Sequence, residues 1–177
     1  MRAAPELGIP EVKPAIESIR GRWEQKVSPR RRHAILQARL STLLTNWAGD
    51  RGEVGSEWRF YFVPVDAKPS SLVPDVAYVS FERMPEAWGE LREAPTIAPD
   101  IAIEVLSPGD RKRTLGEKID LYLAYGSKLV VVVDPLARTV ATLTNATSET
   151  FGAGEVARSN VYRDLALDID DLFARLE

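Results

Sequence analysis

The sequence predicts an α/β fold, a mixed β-sheet flanked by helices with an N-terminal β-hairpin. Three observations predict the α/β class. Leu129-Val130-Val131-Val132-Val133 is a continuous β-branched run, Ile101 to Leu106 is a second apolar run, and between them lies a stretch of helical periodicity from about Arg111 to Tyr125. A strand, a helix long enough to cross back and another buried strand make a βαβ unit whose strands lie parallel.

Taken in order, Ala15 to Ile19, the pair Arg20-Gly21 and Arg22 to Val27 read as the hairpin. Ser28 can N-cap a helix with Pro29 at its first position. Ile35, Leu36, Leu40, Leu43, Leu44 and Trp47 then recur at helical spacing until Gly49 ends it. Phe60 to Val63 and Val76 to Val79 read as strands joined by a loop from Pro64 to Pro74. Pro108-Gly109-Asp110 is a turn that can cap the crossover helix, and Gly126 is its expected left-handed stop. Val140 to Leu143 pairs with the valine strand, and Ile169 to Leu176 forms a short amphipathic helix. No repeat or low-complexity linker divides the 177 residues, so one domain over 1–177 is expected.

Composition excludes several functions. The chain has no cysteine and a single histidine, which rules out disulfides and zinc sites built from His and Cys. No Gly-x-Ser-x-Gly elbow supports a Ser-His-Asp hydrolase. No apolar stretch approaches the roughly 20 residues of a membrane span, and Met1-Arg2-Ala3-Ala4 is not followed by a signal-type apolar region, so a cytoplasmic protein is expected. The net charge of −3 gives no global pull on nucleic acid, leaving that to local clusters, Arg30-Arg31-Arg32 and Arg111-Lys112-Arg113.

The anomaly in this pattern is Glu104, inside an otherwise apolar strand. Alternation puts Asp100, Ala102, Glu104 and Leu106 on one face. A buried carboxylate must be paired, hydrogen-bonded or metal-bound. Asp100 is about 13 Å away along the strand, too far to share one ion. Asp75, entering the preceding strand, is the better partner. Lys118 shares a helix face with Leu115, Tyr122 and Tyr125 that should turn to the sheet, and supplies a cation. Residue types and spacing alone leave a metal site and a plain buried ion pair both open.

At these residues the sequence resembles the Uma2 family. The resemblance is carried by Pro99-Asp100-Ile101-Ala102-Ile103-Glu104-Val105-Leu106-Ser107-Pro108, by Gly116-Glu117-Lys118-Ile119 with Tyr122, and by Val133-Asp134-Pro135; it continues upstream through Glu17, Gly21, Ser28-Pro29, His33 and Pro74-Asp75. It implies membership of the PD-(D/E)xK nuclease superfamily, a restriction-endonuclease-like core, and Mg²⁺-dependent (or Mn²⁺-dependent) hydrolysis of nucleic acid, DNA in the first place. Asp75 matches the aspartate of the PD element and Glu104 the acid of (D/E)xK, both as metal ligands. Leu106 stands where that motif has its lysine, whose part Lys118 matches from the following helix. Asp100, Glu17 and His33 are accessory candidates, and Arg31, Arg111, Lys112 and Arg113 candidate phosphate contacts. Ser127-Lys128 replaces an aromatic pair common before the valine run, a departure that concerns packing. A homodimer is compatible with the resemblance. The alternatives carried forward are a non-catalytic nucleic-acid-binding or assembly protein on the same fold, and hydrolysis of another phosphodiester.

Overall fold

The computed structural model describes residues 12–63, 68–108 and 112–176. Its elements are β1 (Ile16–Ile19), β2 (Arg22–Gln25), α1 (Arg31–Ala48), β3 (Gly52–Ser56), β4 (Phe60–Phe62), β5 (Ser70–Leu72), β6 (Val76–Ser80), a 3-10 segment (Glu86–Arg92), β7 (Ile101–Val105), α2 (Lys112–Ala124), β8 (Leu129–Asp134), β9 (Thr139–Leu143), β10 (Ser148–Phe151), β11 (Val156–Ala157), β12 (Leu167–Asp168) and α3 (Ile169–Phe173).

A six-stranded sheet in the order β10-β9-β8-β7-β6-β3 forms the centre. Within it β7 and β8 are parallel, Glu104 beside Val132, and the other neighbours antiparallel. The crossover predicted from the apolar runs therefore exists, with α2 as its helix. Gly126 closes α2 at φ 100°, a conformation that only glycine adopts without strain.

Alternation along the central strands divides the core. Ile101, Ile103 and Val105 with Val131 and Val133 pack toward Leu36, Leu40 and Leu44 of α1 and toward α3. Ala102, Val130 and Val132 pack the other way, toward Leu121 and Tyr122 of α2 and toward Ile19, Phe60, Phe62 and Leu72. Those last four residues belong to a second sheet, β2-β1-β5-β4, which extends the predicted hairpin.

Strands β5 and β3 lack an apolar signature. β5 is Ser70-Ser71-Leu72, buried throughout because its hydroxyls have partners: the Arg20 N–H donates to Ser70 Oγ and the Arg59 guanidinium to Ser71 Oγ, both at 2.8 Å. β3 carries glycine where a side chain has no room, since a Cβ on Gly52 would lie 2.2 Å from the Val79 carbonyl oxygen. The loop expected from Pro64 to Pro74 thus contains a strand. The N-cap expected at Ser28 is also displaced: α1 begins at Arg31 after an extended Arg30 that makes no side-chain cap. The chain before it is held straight by the bond from Lys26 N to Ala15 O, which prolongs the hairpin.

The start of β7 is fixed by Asp100, which is fully buried. Its Oδ2 accepts from the N–H and hydroxyl of Ser80, each at 2.9 Å, and its Oδ1 faces Lys128 Nζ at 3.1 Å and Arg83 at 3.4 Å. Its own carbonyl accepts from Lys128 and Leu129. Asp100 thereby ties the end of β6 and the start of β8 to β7. Burial opposes the charge of this carboxyl, but the Ser80 N–H, Arg83 and Lys128 outweigh burial and hold its pKa below the usual value of 3.8. A depressed pKa gives stability that is present above 3.8 and fades as pH falls through the folded-state value. Asp100→Asn should therefore cost about 1.5–3 kcal/mol at pH 7, as for loss of a hydrogen-bonded charge. In urea melts the gap from wild type should narrow below pH 4, and a gap that widens there would contradict this role.

Candidate active site

The β6/β7 register is the foundation of the site. Val76 pairs with Ile103, Ala77 with Ala102 and Tyr78 with Ile101. Continued by one residue, the antiparallel register sets Asp75 across from Glu104. Asp75 itself bonds in the plane of the sheet, its Oδ2 accepting the Val105 N–H at 2.7 Å. Both acids are nearly inaccessible, and both line a cavity of about 260 Å³ lined also by Glu17, Lys26, His33 and Lys118.

The two carboxylates have different partners. Asp75 Oδ1 receives the Lys26 ammonium at 2.6 Å, and Oδ2 lies 3.3 Å from His33 Nε2. Burial works to raise the Asp75 pKa, but the contact with His33 and the charge of Lys26 overturn it, so the carboxyl lies well below the ordinary range. Glu104 accepts from Lys118 Nζ at 2.7 Å and from the Tyr122 hydroxyl at 2.8 Å. Here burial prevails. With the nearby charges of Asp75 and Glu17 it outweighs Lys118 and raises the Glu104 pKa from 4.5 to about 7.

Lys118 is also 3.1 Å from Glu17 Oε1, the atom that accepts the Val73 N–H at 2.8 Å. Burial works against the ammonium, yet the Glu104 and Glu17 charges outweigh it and keep its pKa above the lysine norm. Burial followed by the Glu104 charge pushes the Tyr122 hydroxyl far above 10, which keeps it a donor.

The structure brings Asp75, Glu104, Lys118, Glu17 and His33 together around one cavity. It leaves Asp100 out, engaged at the opposite end of β7 with Ser80, Arg83 and Lys128. Arg31 is exposed at the start of α1, and Lys112 and Arg113 are exposed at the start of α2, where Arg113 pairs with Glu117. Arg111 lies outside the described residues, as does most of the Pro108-Gly109-Asp110 turn. Two members of the site escaped sequence reasoning. Tyr122 reads as an ordinary core aromatic. Lys26 follows a polar strand, with only the hairpin pattern as a signal that its side chain turns inward.

The raised Glu104 pKa has a measurable consequence. A carboxyl whose folded pKa exceeds its unfolded value stabilises fully below about pH 4.5, and that stability is lost as pH rises through about 7. Glu104→Gln does not titrate in this window, so its stability relative to wild type should climb between pH 5 and pH 8 without added metal, by on the order of 2 kcal/mol in total, seen as a rising relative melting temperature. A relative melting temperature that falls over the same window would mean that Glu104 is stabilised as an anion.

Among the described residues no helix is long and apolar enough to cross a membrane. Comparison with solved structures finds a crystal structure of a protein from Anabaena variabilis, described as "a putative nuclease belonging to DUF820", at 29% identity and a TM-score of 0.84, over 97% of this chain and 96% of that one. No curated protein matches. The profile of Uma2, a family described as "Putative restriction endonuclease", matches residues 7–170, and the chain belongs to that family.

Proposed function

We propose that the protein is a Mg²⁺-dependent endonuclease acting on nucleic acid, DNA in the first place, with Asp75 and Glu104 as metal ligands and Lys118 as electrostatic helper. The observation that carries this reading is the register of β6 and β7, which sets Asp75 across from Glu104 at a cavity where Lys118 contacts Glu104. Mg²⁺ is a hard cation that usually binds through one or two carboxylates together with waters and phosphate oxygens, so it needs no all-protein cage. Among the described residues no three acid or histidine side chains form a ready-made cage. The donor set is nevertheless all oxygen, and Asp75 Oδ1 and both Glu104 oxygens each keep a further lone-pair site beyond the one bond they accept here, while Asp75 Oδ2 already meets the Val105 N–H and His33. The residues therefore fit the ion.

Bound between Asp75 and Glu104, the ion would polarise the scissile phosphate and lower the pKa of a bound water. Lys118, anchored by Glu104 and Glu17, holds a positive charge where the phosphorane gains negative charge, and the surrounding low dielectric strengthens that attraction. His33 orients the Asp75 carboxylate from one side, while the Val105 N–H fixes it from another.

The second reading is a nucleic-acid-binding or assembly protein without catalysis. It draws on the fact that lysines already neutralise both acids. Incubating the wild-type protein with plasmid and single-stranded DNA and with RNA, in Mg²⁺, Mn²⁺ or chelator, separates the two. Strand scission that needs the ion is the expected result. Binding without scission in either ion would favour the second reading.

A further inference from the structure

Lys26 has no part in the mechanism above, yet it is placed as closely on the cavity as Lys118. It lies just past β2, with its backbone N–H on Ala15 O, and its side chain runs inward until it is 12% exposed. Two protons of the ammonium are engaged, one by the Val73 carbonyl at 2.9 Å and one by Asp75 Oδ1 at 2.6 Å. Its anchoring differs from that of Lys118 in one respect. Lys118 lies between two carboxylates, whereas Lys26 has one carboxylate and one neutral carbonyl.

Charge counting shows what this means for an incoming ion. With the acids ionised, the contacting cluster of Glu17, Asp75, Glu104, Lys26 and Lys118 carries one net negative charge, Glu24 of the cavity lining being paired with Arg22. A divalent ion reverses that sign, and its claim on Asp75 directly opposes the Lys26 ammonium, which is of like charge and on the same carboxylate. Lys26 can leave Asp75 without leaving the cavity, because the Val73 carbonyl still holds it. An anion is then the partner it lacks, and the anion that arrives with the ion is the phosphate of the substrate.

Resting on the metal reading above, we propose that Lys26 is a second cation of the site: it occupies Asp75 in the metal-free protein, and when a divalent ion takes that carboxylate it passes to the substrate phosphate. Lys26 then acts twice, as a competitor that weakens ion binding and as a phosphate ligand.

The test uses Lys26→Met, which keeps the length of the apolar stem without the ammonium, with Lys26→Gln as a second variant that retains a neutral N–H donor; melting curves establish that each is folded. Mn²⁺ affinity is measured by calorimetry, and affinity for a cleavage-resistant phosphorothioate oligonucleotide by fluorescence anisotropy with Mn²⁺ present. The proposal expects Lys26→Met to bind Mn²⁺ several-fold more tightly than wild type. It also expects a loss of about tenfold or more in oligonucleotide affinity, the size of one charge-assisted hydrogen bond. Lys26→Gln should fall between Met and wild type on both measures. Mn²⁺ affinity equal to or below wild type, or unchanged oligonucleotide affinity, overturns the role of Lys26 and leaves the metal reading intact. Wild-type protein that takes up no Mn²⁺ overturns the metal reading itself, and this proposal with it.

Discussion

Asp75→Ala and Glu104→Ala should each abolish ion-dependent cleavage, to below about one-thousandth of the wild-type rate, a greater loss than removal of a single charge donor produces. Both should also weaken Mn²⁺ binding measured by calorimetry. The two variants should differ in stability. Asp75 satisfies the Val105 N–H, Lys26 and His33, so its removal strands a buried donor and a buried ammonium. Glu104 is the acid that burial disfavours, and Lys118 keeps Glu17 when it goes. Melting should therefore be depressed more by Asp75→Ala. Asp75→Asn, similar in volume, separates ligand loss from unfolding: it should remain folded and inactive. Full cleavage by any of these variants contradicts the assignment of ligands.

Lys118→Ala should show a different pattern. It removes the cation shared by two buried carboxylates, and breaking such a pair costs about 3–5 kcal/mol. It should slow cleavage by roughly 10²–10³ through loss of charge stabilisation, while Mn²⁺ affinity stays equal or rises because no ligand is lost. The two effects are linked by mass action, since an ion that binds only the folded state raises its stability. Adding Mn²⁺ should thus restore more stability to Lys118→Ala than to wild type. A variant that melts like wild type and gains nothing from Mn²⁺ would show that Lys118 neither neutralises the acids nor adjoins an ion.

Legibility in the sequence followed the range over which each feature is determined. Glu104 stood out because a single carboxylate interrupts an apolar strand, and the alternation of that strand correctly divides Ala102 from Ile101, Ile103 and Val105. The inward face of α2 was legible for the same reason, its period fixing Lys118 beside Tyr122. Alternation places Asp100 on the Glu104 face, whereas the partners that claim it, Ser80 with Arg83, Lys128 and Tyr162, come from three distant segments. The second sheet was hidden by composition: Ser70 and Ser71 carry no apolar signal, and their burial depends on donors from Arg20 and Arg59. Lys26 was hidden by topology. Nothing in Arg22-Trp23-Glu24-Gln25-Lys26 says which side chain turns inward until β1 has paired with β5 and Val73 with its Glu17 bond has been brought beside it.

The central claim is that Asp75 and Glu104 share a divalent ion, and the most direct measurement is a crystal structure with Mn²⁺ soaked in, located by its anomalous scattering. One Mn²⁺ is expected in the cavity, with an oxygen of Asp75 and an oxygen of Glu104 both in its coordination sphere. A cavity without an anomalous peak, its Lys26–Asp75 and Lys118–Glu104 contacts unchanged, or an ion bound elsewhere, would contradict it.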